Sequence, residues 1–268
     1  MSVEKPLIIA HRGASAFAPE NTFAAFRKAV DGGADGIEFD VRFANDGVPV
    51  VFHDSTLKRL AKIERRVSDF TAAELNKIDV GSWFNERHPK NSDDKFSVET
   101  VPTLANLFDF LRDYKGLIYV ELKGKDSVIP ALAENVCDLI RQTDLLPNII
   151  IKSFKLEGIK IAKRILPEVR AAALFEPKIL TILRKKKLIL DEAEKYNADE
   201  ISIHCSLATR KFLRQARERK FPVTIWTADN PAWVKRASDF GINAIITNNP
   251  AKLLAERERI QSLFENAF

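Results

Sequence analysis

Apolar runs of four to seven residues recur along the chain, separated by stretches in which apolar residues return every three or four positions. The runs are Leu7–Arg12, Gly36–Arg42, Ile118–Lys123, Asn148–Phe154, Ala171–Phe175, Glu200–His204, Pro222–Thr227 and Ala244–Thr247. Strands exposed on one face alternate apolar with polar residues, whereas these runs are nearly continuous, which predicts parallel strands covered on both faces. The intervening stretches predict helices. Phe23, Phe26 and Val30 share a face after an Asn21 cap, and Ile129, Leu132, Val136, Leu139 and Ile140 share another. Parallel neighbours must be joined by crossovers, so eight strand–helix units predict an α/β fold, a (β/α)8 TIM barrel formed by residues 1–268 as one domain. An open doubly wound sheet is the alternative, but the Gly-rich phosphate loop usual there is missing from the sequence.

Between His53 and Val101 the rhythm breaks. A short strand at Val48–Phe52 is followed by a capping-box helix start at Thr71-Ala72-Ala73-Glu74, by Asp79-Val80-Gly81-Ser82-Trp83-Phe84, and by the polar stretch Asn91–Lys95. Residues 55–100 are therefore expected to form an insertion after the second strand, serving as a lid or pocket wall. Trp83 and Phe84 would cover the pocket or anchor the insertion to the barrel.

The composition changes this picture little. Of the 268 residues 46% are hydrophobic, enough for a substantial interior, and no Gly/Ser or Pro tract marks a linker. Cys137 and Cys205 have no metal-ligand spacing and are expected to be free thiols in a reducing compartment, which suggests a cytoplasmic protein. Only four apolar residues, Leu7–Ala10, precede His11, so neither a signal peptide nor a membrane anchor is expected. The net charge of +5 draws attention to Arg184-Lys185-Lys186-Lys187. Those residues sit among Ile179, Leu180, Ile182, Leu183, Leu188 and Leu190, as in an amphipathic helix with a solvated basic face, so nucleic acid is not an expected partner. The sequence carries no signal for oligomeric state.

Chemistry-bearing residues gather where the early strands end. Glu38 and Asp40 lie two apart on one strand, hence on one face, and Glu121 joins them from the next barrel strand. Three carboxylates suit a hard divalent cation, and all-oxygen ligation favours Mg²⁺ or Ca²⁺ over zinc. His11 and His53 each follow an apolar run, and such a pair suits proton transfer in both directions. Arg12 offers a planar fork and Lys123 a point charge for a phosphate. Together they suggest metal-assisted hydrolysis of a phosphodiester. Glu20 either touches the metal or orients Arg12 or His11, and the supporting role is the expectation. Asn21 is read as the helix cap. Trp226 ends the seventh run, either as a wall against substrate or as plain core. Of the other histidines, His88 is expected to be exposed, and His204 ends a strand without a motif to give it a role.

Taken in order, His11-Arg12-Gly13, Pro19-Glu20-Asn21-Thr22, Ile37-Glu38-Phe39-Asp40-Val41, Asp46-Gly47 with His53-Asp54, Val120-Glu121-Leu122-Lys123, Ser153-Phe154, Trp226-Thr227 and Ile246-Thr247-Asn248-Asn249-Pro250 resemble the glycerophosphodiester phosphodiesterases over essentially the whole chain. The segment Asp79–Phe84 is similar to one carried by bacterial cytoplasmic members. The resemblance implies a barrel in which Glu38, Asp40 and Glu121 bind a divalent metal and His11 and His53 are the catalytic pair, base and acid respectively. The residues alone leave that order open. The implied reaction converts a small glycerophosphodiester to sn-glycerol 3-phosphate and an alcohol; phospholipase D-type hydrolysis of lysophospholipids is the alternative that the same barrel supports. Two departures stand out: Ala228-Asp229 follows Trp226-Thr227 where an aliphatic residue and Asn are usual, and Asn248 stands where Asp is common.

Overall fold

The computed structural model describes residues 5–177 and 186–265. Nine strands are present among them: β1 (Leu7–His11), β2 (Gly36–Phe43), β3 (Pro49–Val51), β4 (Leu117–Leu122), β5 (Ile149–Ser153), β6 (Arg170–Phe175), β7 (Glu200–His204), β8 (Val223–Trp226) and β9 (Ala244–Thr247). All but β3 pair in parallel, and the additional β1–β2 pairing closes them into an eight-stranded barrel with helices between the strands. The (β/α)8 expectation is met, and the open sheet is excluded by that closure. The short β3 runs antiparallel along the upper half of β2, with Val41 opposite Val51.

Two apolar layers hold the barrel. Outside it, the outward faces of the strands pack on the helices, as Ile37, Phe39, Ile118 and Val120 do on Phe26, Ala29, Leu107 and Val136. Inside lies a thinner cluster of Ile9, Tyr119, Ile150, Ala172, Ala244 and Ile246. Helix Ile129–Arg141 buries Ile129, Leu132, Val136 and Ile140, as its 3.6-residue period requires.

The first helix, Phe23–Asp31, departs from expectation at its cap. Thr22, not Asn21, occupies the N-cap position, with its hydroxyl accepting from the Ala25 amide. Asn21 takes a left-handed backbone conformation at φ 59° and sends its side chain into the barrel mouth. The buried stripe is Ala25, Phe26 and Ala29, leaving Phe23 and Val30 half-buried.

The insertion has a core of its own, in which Phe52, Leu57, Leu60, Val67, Leu75, Val80 and Val101 are buried together. Its capping box forms as read, with the Thr71 hydroxyl accepting from the Glu74 amide and the Glu74 carboxylate accepting from the Thr71 amide. Phe84 anchors it to the barrel, buried against Ala18, Ala25 and Phe96. Gly81 lets that junction close, since a Cβ there would lie 1.8 Å from the Phe96 carbonyl oxygen. Trp83 donates its indole N–H to the Val80 carbonyl and faces a surface groove beside Lys58, Lys62 and Arg87. His88 is exposed and stacks on Phe84. Of the basic run, Arg184 and Lys185 lie outside the described residues, and so do the side chains of Lys186 and Lys187.

Candidate active site

Strand register assembles the site. His11 pairs with Glu38, Asp40 with Glu121, and Glu121 with Lys152, so inward-facing positions of β1, β2, β4 and β5 form one ring at the C-terminal mouth. One oxygen from each of Glu38, Asp40 and Glu121 lies within 4.8 Å of the others, and all three residues are buried. Around them stand three fixed cations. Lys152 Nζ is 2.7 Å from Glu38 Oε1 and 3.4 Å from Glu121 Oε2; Lys123 Nζ is 3.2 Å from Asp40 Oδ1 and also touches Glu121; Arg12 Nε is 3.1 Å from Asp40 Oδ2.

These cations supply charge without filling every lone pair. Glu38 Oε1, Asp40 Oδ1 and Glu121 Oε1 are buried without a hydrogen bond of good geometry among the described residues, although an ammonium lies near each. Three carboxylates grouped this closely fit a hard divalent cation. Burial resists ionisation of all three acids, but the neighbours decide the outcome differently. Lys152 and His11 hold Glu38 below its ordinary range, and Arg12 and Lys123 hold Asp40 far below its own. For Glu121 burial wins and its pKa is raised. A buried carboxylate that remains partly unpaid in charge is one that a metal would stabilise.

Both histidines line the mouth. His11 Nδ1 bonds Asn248 Oδ1 at 2.7 Å, which leaves Nε2 facing Glu38 at 3.8 Å. Burial lowers the pKa of His11, against the pull of Glu38. His53, on the loop after β3, bonds Asp54 Oδ1 through Nδ1 at 2.6 Å. Asp54 in turn accepts from Arg59 Nε at 2.6 Å, and Arg59 forks onto both oxygens of Glu20 at 2.8 Å. Glu20 also accepts from Arg12 Nη1 at 2.7 Å. It thus grips two arginines, while the carboxylate cluster is made by Glu38, Asp40 and Glu121. Asn21, just before the helix cap, completes the mouth by donating Nδ2 to Asp40 Oδ2 at 3.0 Å.

A cavity of about 180 Å³ opens over this ring, lined by His11, Arg12, His53, Glu121, Lys123, Lys152, Phe154, Glu176, Trp226 and Thr227. Trp226 stands edge-on to Phe154, with its indole nitrogen buried and without a hydrogen-bond partner among the described residues. Arg12 takes a left-handed backbone at φ 56°, and Gly13 follows at φ 80° with room for no Cβ, since one would lie 2.6 Å from the Ala25 backbone. That tight pair of turns aims Arg12 back across the mouth.

The sequence profile of the glycerophosphoryl diester phosphodiesterase family matches residues 11–252. The chain belongs to that family. A glycerophosphodiester phosphodiesterase of Caldanaerobacter subterraneus subsp. tengcongensis is 32% identical over 250 residues, covering 93% of this chain and 97% of the relative. One from Bacillus subtilis is 29% identical, covering 93% and 86%. Among solved structures, a glycerophosphodiester phosphodiesterase from Agrobacterium tumefaciens is 30% identical with a TM-score of 0.74, covering 93% of this chain and 99% of its own. An Oleispira antarctica phosphodiesterase, solved with the product sn-glycerol-3-phosphate, shares the fold at a TM-score of 0.82 with 24% identity, covering 95% and 97%. Membership makes this chain a phosphoric diester hydrolase.

In this phosphodiesterase every residue singled out from the sequence as a site residue lies at or beside the mouth. His204 packs edge-on against Trp226 and bonds Ser206, behind the cavity wall. Sequence reasoning missed Lys152, Arg59 and Glu176. A lysine closing an otherwise aliphatic strand, Ile149-Ile150-Ile151-Lys152, was the available signal for the first. Arg59 sits in the short helix Lys58–Ala61 and Glu176 just past the end of β6, and no motif marks either.

Proposed function

We propose that the chain hydrolyses small glycerophosphodiesters to sn-glycerol 3-phosphate and an alcohol, using Mg²⁺ or Ca²⁺ held by Glu38, Asp40 and Glu121. The observation that carries this reading is the clustering of those three carboxylates within 4.8 Å beneath a cavity that His11 and His53 both line. When bound, the cation would neutralise phosphoryl charge and make an attacking hydroxyl more acidic. The protein's own residues divide the remaining work. With Nδ1 occupied by Asn248, His11 presents Nε2 as the base that removes the proton from the nucleophile. His53, with Nδ1 donated to Asp54, presents its own Nε2 as the acid for the departing alcohol, and the carboxylate stabilises the positive charge that an acid must carry. Arg12 and Lys123 hold phosphoryl oxygens. Glu20 supports the site by fixing Arg12 and Arg59.

Charge supports an added cation. The three acids balance Arg12, Lys123 and Lys152, so the arrangement is close to neutral before an anionic diester enters. The substrate's glycerol 2-hydroxyl is the favoured nucleophile over water, because an internal hydroxyl gains from proximity and would form a cyclic phosphate that water then opens. Eight of the ten lining residues are polar or charged, which favours a polar diester over the phospholipase D-type alternative. Trp226 is read as a wall against the glycerol end. Residues 1–268 are read as one barrel domain with 55–100 inserted, acting in the cytoplasm, consistent with two unpaired thiols and with no described helix long and apolar enough to cross a membrane.

The test is release of free choline from glycerophosphocholine, its 2-deoxy analogue and lysophosphatidylcholine, after chelation and re-addition of Mg²⁺ or Ca²⁺. The reading expects turnover of the first substrate only, and only with metal. Full turnover by demetallated enzyme, checked by elemental analysis, would overturn it; comparable hydrolysis of the deoxy analogue would make water the nucleophile.

A further inference from the structure

Behind His11 stands Asn248, and behind Asn248 stands Asp229. Asn248 Oδ1 bonds His11 Nδ1 at 2.7 Å and also accepts from Ser15 Oγ at 3.0 Å. The amide's other end, Nδ2, donates to Asp229 Oδ2 at 2.8 Å. Asp229 Oδ1 accepts from the Thr247 hydroxyl and from the Asn248 backbone amide, both at 2.8 Å. An ionised carboxylate only accepts hydrogen bonds, so the amide's NH₂ must face Asp229 and its oxygen must face His11. An amide oxygen also only accepts, so the hydrogen must reside on His11 Nδ1. The lone pair is then on Nε2, on the side of the carboxylate ring.

We infer that Asp229 is a positioning residue that selects the base-competent tautomer of His11 by preventing the Asn248 amide from turning over. A turned amide would offer NH₂ to Nδ1, move the ring hydrogen to Nε2 and leave no base facing the substrate. Asp229 lies at the surface and Asn248 is half-buried, and the three hydrogen bonds onto Asp229 fix its carboxylate against the amide. The pair is also exchangeable. With Asn at 229 and Asp at 248, the new amide would donate to the new carboxylate, which would still accept from His11 Nδ1. Either single change breaks the logic: two amides allow both orientations, and two carboxylates face each other with no donor between them. This inference rests on His11 as the base.

The experiment compares the wild type, Asp229→Asn, Asn248→Asp and the double exchange, reading kcat, KM and the ¹⁵N shifts of His11 in the metal-free protein at pH above its titration. Asp229→Asn is expected to lower kcat about 10- to 100-fold, the usual cost of losing a supporting hydrogen bond, with KM little changed. Its His11 spectrum should move toward a mixture of tautomers. The double exchange should return both the Nδ1–H tautomer and most of kcat. An unchanged His11 tautomer in Asp229→Asn, or a double variant no better than the worse single one, would overturn the inference. Retention of activity by His11→Ala would instead remove the reading of His11 as the base, whatever the tautomer shows.

Discussion

The two ends of the barrel interior treat inward-facing acids differently. At the C-terminal mouth Glu38, Asp40 and Glu121 are ringed by Arg12, Lys123 and Lys152, and each still keeps an oxygen without a good hydrogen bond. Toward the N-terminal end Glu200, the first residue of β7, accepts from the Tyr119 hydroxyl through both oxygens at 3.1 and 3.2 Å. Tyr119 in turn lies 3.4 Å from Thr224 Oγ1. Burial raises the pKa of Glu200 despite these bonds, and it raises that of Tyr119 as well. Fixed cations at one end hold Glu38 and Asp40 ionised beside Glu121, whose pKa burial raises as it does that of Glu200; at the other end hydroxyls, not cations, join the acid into the packing. The same barrel thus separates chemistry from support along its axis.

The comparison predicts its largest effect at the mouth. Glu38→Gln, Asp40→Asn and Glu121→Gln are each expected to reduce hydrolysis to background while the circular dichroism spectrum stays that of a folded barrel. Calorimetric titration with Mg²⁺ or Ca²⁺ should show binding lost as well. If one of these variants bound metal and turned over normally, that residue would belong with Glu200 as packing.

Arg59 sharpens the boundary, because it reaches the mouth from the insertion and touches neither the carboxylate ring nor the barrel wall. Arg59→Ala should lower kcat about 10- to 100-fold by loosening Asp54 and Glu20 together. Arg59→Lys should recover little, since a point charge cannot hold three carboxylate oxygens in one plane. Equal activity of the alanine variant and wild type in a glycerol 3-phosphate assay would confine the insertion to a structural role.

At the far end the effect is on stability alone. A carboxyl whose folded pKa lies above its unfolded value binds its proton more tightly when folded, so its contribution is favourable at low pH and is lost as pH rises through the folded pKa. Glu200→Gln removes that loss. Its melting temperature should match wild type near pH 4 and exceed it by a few degrees at pH 7, with kcat unchanged. A variant less stable than wild type at pH 7 would mean that the carboxylate is better satisfied by Tyr119 and Thr224 than burial implies.

The barrel was legible because eight aliphatic runs, each covered on both faces, leave little choice of architecture, and Glu200–His204 and Ala244–Thr247 are found with the expected bounds. Glu38, Asp40 and Glu121 were legible because charge inside such a run is costly unless it has a use. The supporting contacts were not. Asn21 and Thr22 are both good caps, and only the folded chain shows that Asn21 turns inward to Asp40. Arg59 meets Glu20 from 39 positions away in the sequence, and no local pattern encodes that distance. Asp229 and Asn248 could be seen as departures, but their meaning depends on which end of an amide faces His11.

The most direct test of the account compares leaving groups in the two histidine variants. Hydrolysis of glycerophosphocholine, whose alkoxide leaves poorly, is set beside that of glycerophospho-p-nitrophenol, whose aryloxide leaves well. If His53 protonates the departing alcohol, His53→Ala should lose about 10²- to 10⁴-fold on the first substrate and far less on the second, while His11→Ala loses activity on both. Equal losses in His53→Ala on the two substrates would contradict the division of proton transfer between the two histidines.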